Sequence, residues 1–139
     1  MIVSQQQYNA TRKKLKMLEE SLSAPRREGV PEKFVQAALG QTRELMAELQ
    51  AEIDEYDRIT TSSQAEVPVN SIEDLLLAPI RCRLASHMST EAFARTVGVS
   101  ARQIFRYEQE NYRNCSLANL TKILGKLNVK VSGSIALDE

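Results

Sequence analysis

The stretch Met88–Glu108, MSTEAFARTVGVSARQIFRYE, decides the fold. Ser89 and Ser100 each precede a short helical pattern, and serine at such an N-cap accepts a hydrogen bond from the first helical turn. Apolar residues bracket both serines, which is the hydrophobic-staple pattern. Gly98 supplies the left-handed residue that ends a helix. We therefore predict two short helices, the first over TEAFARTV, joined by a tight turn.

The second short helix divides by face at about 100° per residue. One side holds the predicted structural residues Ile104, Tyr107 and Glu108. The other side carries Arg102 and Arg106, with Phe105 at the flank. In a DNA major groove, arginine reads guanine bidentately and an apolar group contacts the thymine methyl. The pattern indicates a helix-turn-helix, and Phe105 fits either a thymine methyl or a protein partner.

In these residues the chain resembles the Xre/Cro-type helix-turn-helix of phage repressors and many bacterial regulators. That family reads roughly T-Q-x-x-L-A-x-x-x-G-[VI]-S-x-x-x-I-x-x-[YWL]-E, and residues 89–108 read S-T-E-A-F-A-R-T-V-G-V-S-A-R-Q-I-F-R-Y-E. The resemblance extends from Ser71 to about Asn128. It implies a compact lambda-repressor-like bundle that docks its third helix in DNA.

The resemblance and the face analysis together give two sets of candidate contacts. The predicted base contacts are Ala101, Arg102, Phe105 and Arg106. The predicted phosphate contacts are Thr90, Ser100, Gln103 and Arg113. Thr90 stands where the family has a phosphate-binding glutamine. The family's E-x-G turn is replaced by EQENYRNCS, in which Arg113 is the candidate substitute.

The formal net charge is zero, but the charges are unevenly divided. Residues 1–70 carry 9 Lys/Arg and 11 Asp/Glu, whereas residues 79–130 carry 9 Lys/Arg and three acids, a net of +6. A basic half suits a polyanion partner, although a solvated basic face is the alternative. Lys122, Lys126 and Lys130 form either a solvated stripe or phosphate contacts.

The N-terminal half predicts a helical interaction module over residues 1–59. Apolar spacing indicates helices over residues 4–23 and 31–59, separated by the turn Ser23–Pro31 and folded as an antiparallel hairpin or coiled coil. Because the second helix is longer, its acidic end (residues 52–59) is predicted to outrun the first. Two helices bury little by themselves, so the module is predicted to need another surface.

Residues 60–70 read as a linker, and residues 71–128 as the DNA-binding domain. Its first helix starts after Ser71, and Pro79 is predicted to kink or split that helix.

In residues 129–139 apolar and polar positions alternate, which predicts a short β-strand that pairs between chains; a floppy tail is the alternative. A two-fold dimer would set two recognition helices about 34 Å apart. Either the hairpin or the strand could be its main contact.

Other functions find little support in the sequence. The single histidine, His87, and the distant Cys82 and Cys115 form no metal-ligand pattern, so we predict no metal, no cofactor and no enzymatic activity. We expect both cysteines to be reduced thiols. With no apolar signal core and no run of 18 apolar residues, the protein is predicted to be cytoplasmic, nucleoid-associated in bacteria, and without a membrane partner.

The sequence thus predicts an all-α, sequence-specific DNA-binding transcriptional regulator, a repressor, that acts as a homodimer on a double-stranded DNA operator. Small Xre-type proteins with an added interaction segment are often antitoxins, of the HigA type among others. That resemblance makes an autorepressing antitoxin with a protein toxin as partner a second expectation. The alternative is a protein-interaction adaptor whose helix-turn-helix is only a packing scaffold.

Overall fold

The computed structural model describes residues 1–25, 28–61 and 66–138, and the regular structure within these ranges is entirely helical. Its elements are α1 (Gln5–Leu22), α2 (Glu32–Thr61), α3 (Ile72–Ala85), α4 (Thr90–Val97), α5 (Ala101–Gln109) and α6 (Leu117–Lys126). The chain divides into two compact units, Met1–Ser62 and Ser63–Glu139. Parts of the predicted turn, linker and strand (residues 26–27, 62–65 and 139) lie outside the described ranges.

The first unit consists of α1 and α2, which pack side by side and run in opposite directions. Tyr8 near the start of α1 stacks on Tyr56 near the end of α2, with 4.9 Å between ring centroids. Ser4 caps α1 by accepting a hydrogen bond from the amide of Gln7 at 3.1 Å. The apolar core of this unit is small, with the buried side chains Ile2, Leu15, Ile53 and Tyr56.

The longer helix extends past the shorter one at its start, not at its end as predicted. From the Tyr8–Tyr56 contact, the remaining 14 residues of α1 span about 21 Å and bring its end opposite residue 42 of α2. Residues 32–41 therefore continue beyond α1. The acidic end of α2 is covered instead, because Tyr8 stacks there and Ile2 is buried. The connection over residues 23–31 is long enough to permit this offset.

In the second unit α3 begins at the predicted cap, where Ser71 accepts a hydrogen bond from the amide of Asp74 at 3.1 Å. The Asn70 amide donates to the Asp74 carboxylate at 3.0 Å, and this bond holds the pKa of Asp74 below its ordinary value. Pro79 is buried inside α3, which continues to Ala85 as one helix. Of the two predicted effects of Pro79, the split is therefore wrong, and the kink stays a prediction.

The two short helices and their turn form where the sequence predicted them. Ser89 caps α4 and Ser100 caps α5, each accepting from the amide three residues ahead at 3.1 and 3.2 Å. Gly98 has φ 75°, the left-handed conformation that ends α4 without a steric penalty. α4 packs against both α5 and α6. This packing holds the helix-turn-helix as one body.

The last helix begins after Ser116, whose hydroxyl caps it by accepting a hydrogen bond from the amide of Asn119 at 3.1 Å. Leu120 and Ile123 are buried, as their spacing predicts. Leu117 is 78% exposed, although it lies three residues before Leu120 on the same side of the helix. It is the first residue of α6, so the apolar face of this helix is buried only from its second turn onward.

The predicted C-terminal β-strand is not present. Residues 129–138 have no regular secondary structure, and Val131, Ile135 and Leu137 are exposed, the last at 89%. A single strand leaves its backbone hydrogen-bonding groups unpaired, and no strand occurs elsewhere in the described ranges to receive it. Alternating apolar residues alone were therefore insufficient to form a strand within one chain.

Candidate nucleic-acid interface

Helix α5 has one buried face and one exposed face. Ile104, Tyr107 and Glu108 are buried, whereas Arg102 and Arg106 are exposed. This is the division predicted from the helical period, and it is confirmed. The helix is therefore anchored through one side and presents the two guanidinium groups on the other.

A buried ion pair fixes the end of α5 to α3. The Arg83 guanidinium donates to both carboxylate oxygens of Glu108, from Nε at 2.6 Å and from Nη2 at 2.8 Å. A third donor, Nη1, reaches the carbonyl oxygen of Met88 at 3.1 Å, just before α4. Both side chains are at most 7% exposed. One arginine therefore connects three segments of the bundle, and Glu108 is the structural partner that the sequence predicted.

Two further side chains connect α6 to the motif. Asn119 Nδ2 donates to the Tyr107 hydroxyl at 2.8 Å, which attaches α6 to the buried face of α5. Lys122 Nζ donates to the carbonyl oxygen of Gly98 at 2.8 Å. That carbonyl lies at the end of α4, where the helix dipole favours a cation. Lys122 therefore supports the turn between the two short helices, a role distinct from the solvated stripe or phosphate contact considered from the sequence.

The turn after α5 is unusual in its backbone. Asn111 and Tyr112 have φ of 53° and 60°, and left-handed conformations are costly for residues other than glycine and asparagine. Tyr112 is fully buried, and its ring lies 5.5 Å from that of Tyr107. Its amide donates to the Tyr107 carbonyl oxygen at 2.7 Å. Burial of the ring therefore offsets the backbone strain in the turn that directly follows α5.

The Tyr112 hydroxyl is buried without a hydrogen-bond partner in the described part of the chain. Burial, and then the nearby Glu108 carboxylate, raise the pKa of Tyr112 well above its ordinary value. The hydroxyl therefore stays protonated across the ordinary pH range, and its O–H group donates to no acceptor in the described part of the chain.

Replacing Tyr112 with phenylalanine is expected to raise the free energy of unfolding by about 1 kcal/mol, because the ring stays and an unsatisfied buried hydroxyl is removed. The matched variant, Tyr107→Phe, removes the acceptor of Asn119 and is expected to lower that free energy by about 1 kcal/mol. Urea titrations followed by circular dichroism measure both. A loss of stability in Tyr112→Phe equal to that in Tyr107→Phe would contradict this reading of the hydroxyl.

Of the four predicted base contacts, Arg102, Phe105 and Arg106 are exposed on α5. Arg102 and Arg106 are one turn apart, about 6 Å along the axis. Phe105 is 58% exposed, so it does not belong to the core of this unit. Ala101 is half-buried at the first position of the helix. These four side chains occupy a single nine-residue helix.

The predicted phosphate contacts lie at element ends. Thr90 is half-buried at the first position of α4, and Ser100 is the exposed cap of α5. Gln103 is exposed, and its backbone amide donates to the Ser100 hydroxyl at 3.2 Å. Arg113 is exposed in the turn after α5.

Several residues that hold this surface in place were not identified from the sequence. They are Arg83, Asn119, Lys122 and Tyr112. Arg83 was counted among the basic residues although it is buried in an ion pair. The available signal was Glu108 itself, because a buried carboxylate requires a cationic partner.

Within the described ranges, no group of three or more His, Cys, Asp or Glu side chains could hold a metal ion. Cys82 and Cys115 are free, half-buried thiols, and burial raises the pKa of both. No helix in this part of the chain is long and apolar enough to span a bilayer.

Comparison with known proteins finds a family model that matches part of the second unit. Residues 80–133 match the helix-turn-helix family model HTH_3, of the Xre/lambda-repressor-like kind. The match covers less than half of the chain and includes α4, α5 and α6 in full. No curated protein and no solved structure matches the chain. The matched family is one of DNA-binding domains, which suggests a DNA-binding transcriptional regulator.

Proposed function

We propose that the protein is a sequence-specific DNA-binding repressor of transcription that binds its operator as a homodimer. α5 enters the major groove, where Arg102 and Arg106 read bases and Ala101 and Phe105 lie close to them. Thr90, Ser100, Gln103 and Arg113 contact phosphates on either side.

The observation that carries this proposal is the division of α5 into two faces. Its buried face is held by the ion pair between Glu108 and Arg83 and by the hydrogen bond that Asn119 donates to the Tyr107 hydroxyl. Its exposed face offers two guanidinium groups and an aromatic ring that the core does not use. One face of α5 is therefore fixed to the bundle, and the other carries side chains that an ordinary solvent-exposed face does not need. A helix with these two faces suits insertion into the major groove.

The charge distribution supports the same proposal. Exposed cations lie on each part of the motif, at Arg95 in α4, Arg102 and Arg106 in α5, and Arg113 in the following turn. Of the three acidic residues between 79 and 130, Glu108 is neutralised by Arg83. The motif therefore presents mainly positive charge to a polyanion, and the affinity of such an interaction depends on the salt concentration.

Binding to DNA from the region upstream of its own gene is expected to weaken steeply with salt. For about three phosphates neutralised per protomer, affinity falls roughly 40-fold per protomer between 50 and 200 mM salt. Fluorescence anisotropy with a labelled duplex measures this, and a shuffled duplex of the same composition is the control. A reporter joined to the same region is expected to lose expression when the protein is supplied.

Two results would contradict the proposal. Equal affinity for the upstream and shuffled duplexes would remove sequence specificity. No salt-dependent binding to either duplex would favour the adaptor, in which the helix-turn-helix serves only for packing. The antitoxin role stays a prediction from the sequence resemblance.

A further inference from the structure

Two side chains of α6 reach the two short helices of the motif. Asn119 and Lys122 are three residues apart, so they lie within about 60° of each other around α6. Asn119 Nδ2 donates to the hydroxyl of Tyr107 in α5 at 2.8 Å. Lys122 Nζ donates to the carbonyl oxygen of Gly98, the residue that caps α4, also at 2.8 Å. One face of α6 therefore holds both short helices.

The side chain of Lys122 also lies against the turn. Gly98 has φ 75°, and a Cβ atom at this position would lie 3.4 Å from Lys122 Cε. The end of the lysine side chain therefore covers the open side of the glycine, and the ammonium group reaches the carbonyl oxygen beside it. A hydrogen bond from a charged donor is stronger than one between neutral groups.

The bond from Lys122 acts at the residue from which the chain leaves α4 and enters α5. The amides of Gly98 and Val99 both donate to the carbonyl oxygen of Ala94, at 2.9 and 3.2 Å, and these bonds hold the turn from the α4 side. The Gly98 carbonyl group faces Lys122 instead. Arg102 lies only four residues further along the chain, so a rotation at residue 98 is transmitted directly into α5.

We propose that Lys122 is a positioning residue for DNA recognition: its bond to the Gly98 carbonyl oxygen sets the orientation of α5 against α4 and so aligns Arg102 and Arg106 with the bases. The inference rests on the proposed function, in which these two arginines read bases. A bidentate contact requires a planar guanidinium group aligned with a base edge, so it tolerates little rotation of the helix. Phosphate contacts carry no sequence information. Loss of the Lys122 bond therefore affects the preference for the operator more than the general attraction to DNA.

Lys122→Met tests this alignment because it keeps an unbranched side chain over Gly98 and removes the donor. We expect the preference for the operator over a shuffled duplex to fall about fivefold, the effect of roughly one hydrogen bond. Fluorescence anisotropy measures both affinities under conditions in which circular dichroism shows each variant to be folded. Lys122→Arg keeps a cationic donor and is expected to retain the preference within about twofold.

Lys126→Met is the matched control, because Lys126 is an exposed cation one turn further along α6. It removes the same charge and is expected to leave the preference unchanged, since even a phosphate contact at this position affects both duplexes about equally. An equal fall in preference in the Lys122→Met and Lys126→Met variants would overturn the proposal.

Amide hydrogen exchange of the full chain without DNA tests the hold on the turn separately. We expect the Gly98 and Val99 amides to exchange about fivefold faster in Lys122→Met and at the wild-type rate in Lys126→Met. Unchanged exchange in Lys122→Met would overturn the proposal. Faster exchange with an unchanged preference for the operator would also overturn it, because Lys122 would then stabilise the turn without aligning the arginines. Since this measurement contains no DNA, a failure of the proposed function leaves the exchange result to be judged by itself.

Discussion

Replacing Glu108 with alanine is expected to lower the free energy of unfolding of the second unit by about 3–5 kcal/mol. The Arg83 guanidinium is buried, and its Nε and Nη2 both donate to the Glu108 carboxylate. Without that carboxylate, a positive charge stays in the interior with only part of its hydrogen bonds. The loss exceeds that of an ordinary surface substitution because burying an unpaired charge is so costly.

Two further variants make the expectation specific to the pair. Glu91→Ala removes an exposed carboxylate from the first turn of α4 and is expected to cost only a few tenths of a kcal/mol. Arg83→Met combined with Glu108→Leu removes both charges and keeps most of the volume. That double variant is expected to recover most of the stability lost in Glu108→Ala, since apolar residues often replace a buried ion pair without cost.

Urea denaturation followed by circular dichroism gives all three values. A loss below about 1 kcal/mol in Glu108→Ala would mean that water or another side chain replaces the carboxylate. A double variant no more stable than Glu108→Ala would mean that the site cannot be repacked with apolar residues. The first outcome would remove the assigned role of the ion pair in fixing α5, whereas the second would contradict only the expected recovery.

The sequence predicted the local structure of the motif well because its signals act over a few residues. Ser89 and Ser100 cap their helices, and Gly98 is left-handed, each for a reason contained in the neighbouring backbone. The two faces of α5 follow from the helical period in the same way. The conformation of these residues can therefore be predicted without information about the rest of the chain.

The interactions that the sequence did not predict join residues that are distant in sequence. Arg83 lies 25 residues before Glu108, and Lys122 lies 24 residues after the carbonyl that it binds, so no local pattern connects them. The strand predicted from the alternating apolar residues of the C-terminal segment did not form for a related reason, because a strand is stable only when a neighbouring strand pairs with its backbone. The offset of α1 against α2 also depends on which aromatic rings meet, which the period alone does not specify.

Replacing both Arg102 and Arg106 with alanine is expected to lower affinity for the operator at least about thirtyfold, since each bidentate contact to guanine is worth about 1–3 kcal/mol. Both side chains are exposed, so the free energy of unfolding is expected to change by less than about 0.5 kcal/mol per substitution. Lys13→Ala with Lys14→Ala is the control, because it removes two exposed cations from α1.

The pattern of loss separates base reading from simple charge attraction. Contacts to bases affect the operator far more than a shuffled duplex, whereas contacts to phosphate affect both about equally and reduce the salt dependence by about one per contact. We therefore expect the Arg102/Arg106 variant to approach the shuffled-duplex affinity on both DNAs. Arg113→Ala is expected to weaken binding to both duplexes equally. If the Arg102/Arg106 variant instead weakened both duplexes in parallel, the two arginines would be phosphate contacts and specificity would lie elsewhere on α5.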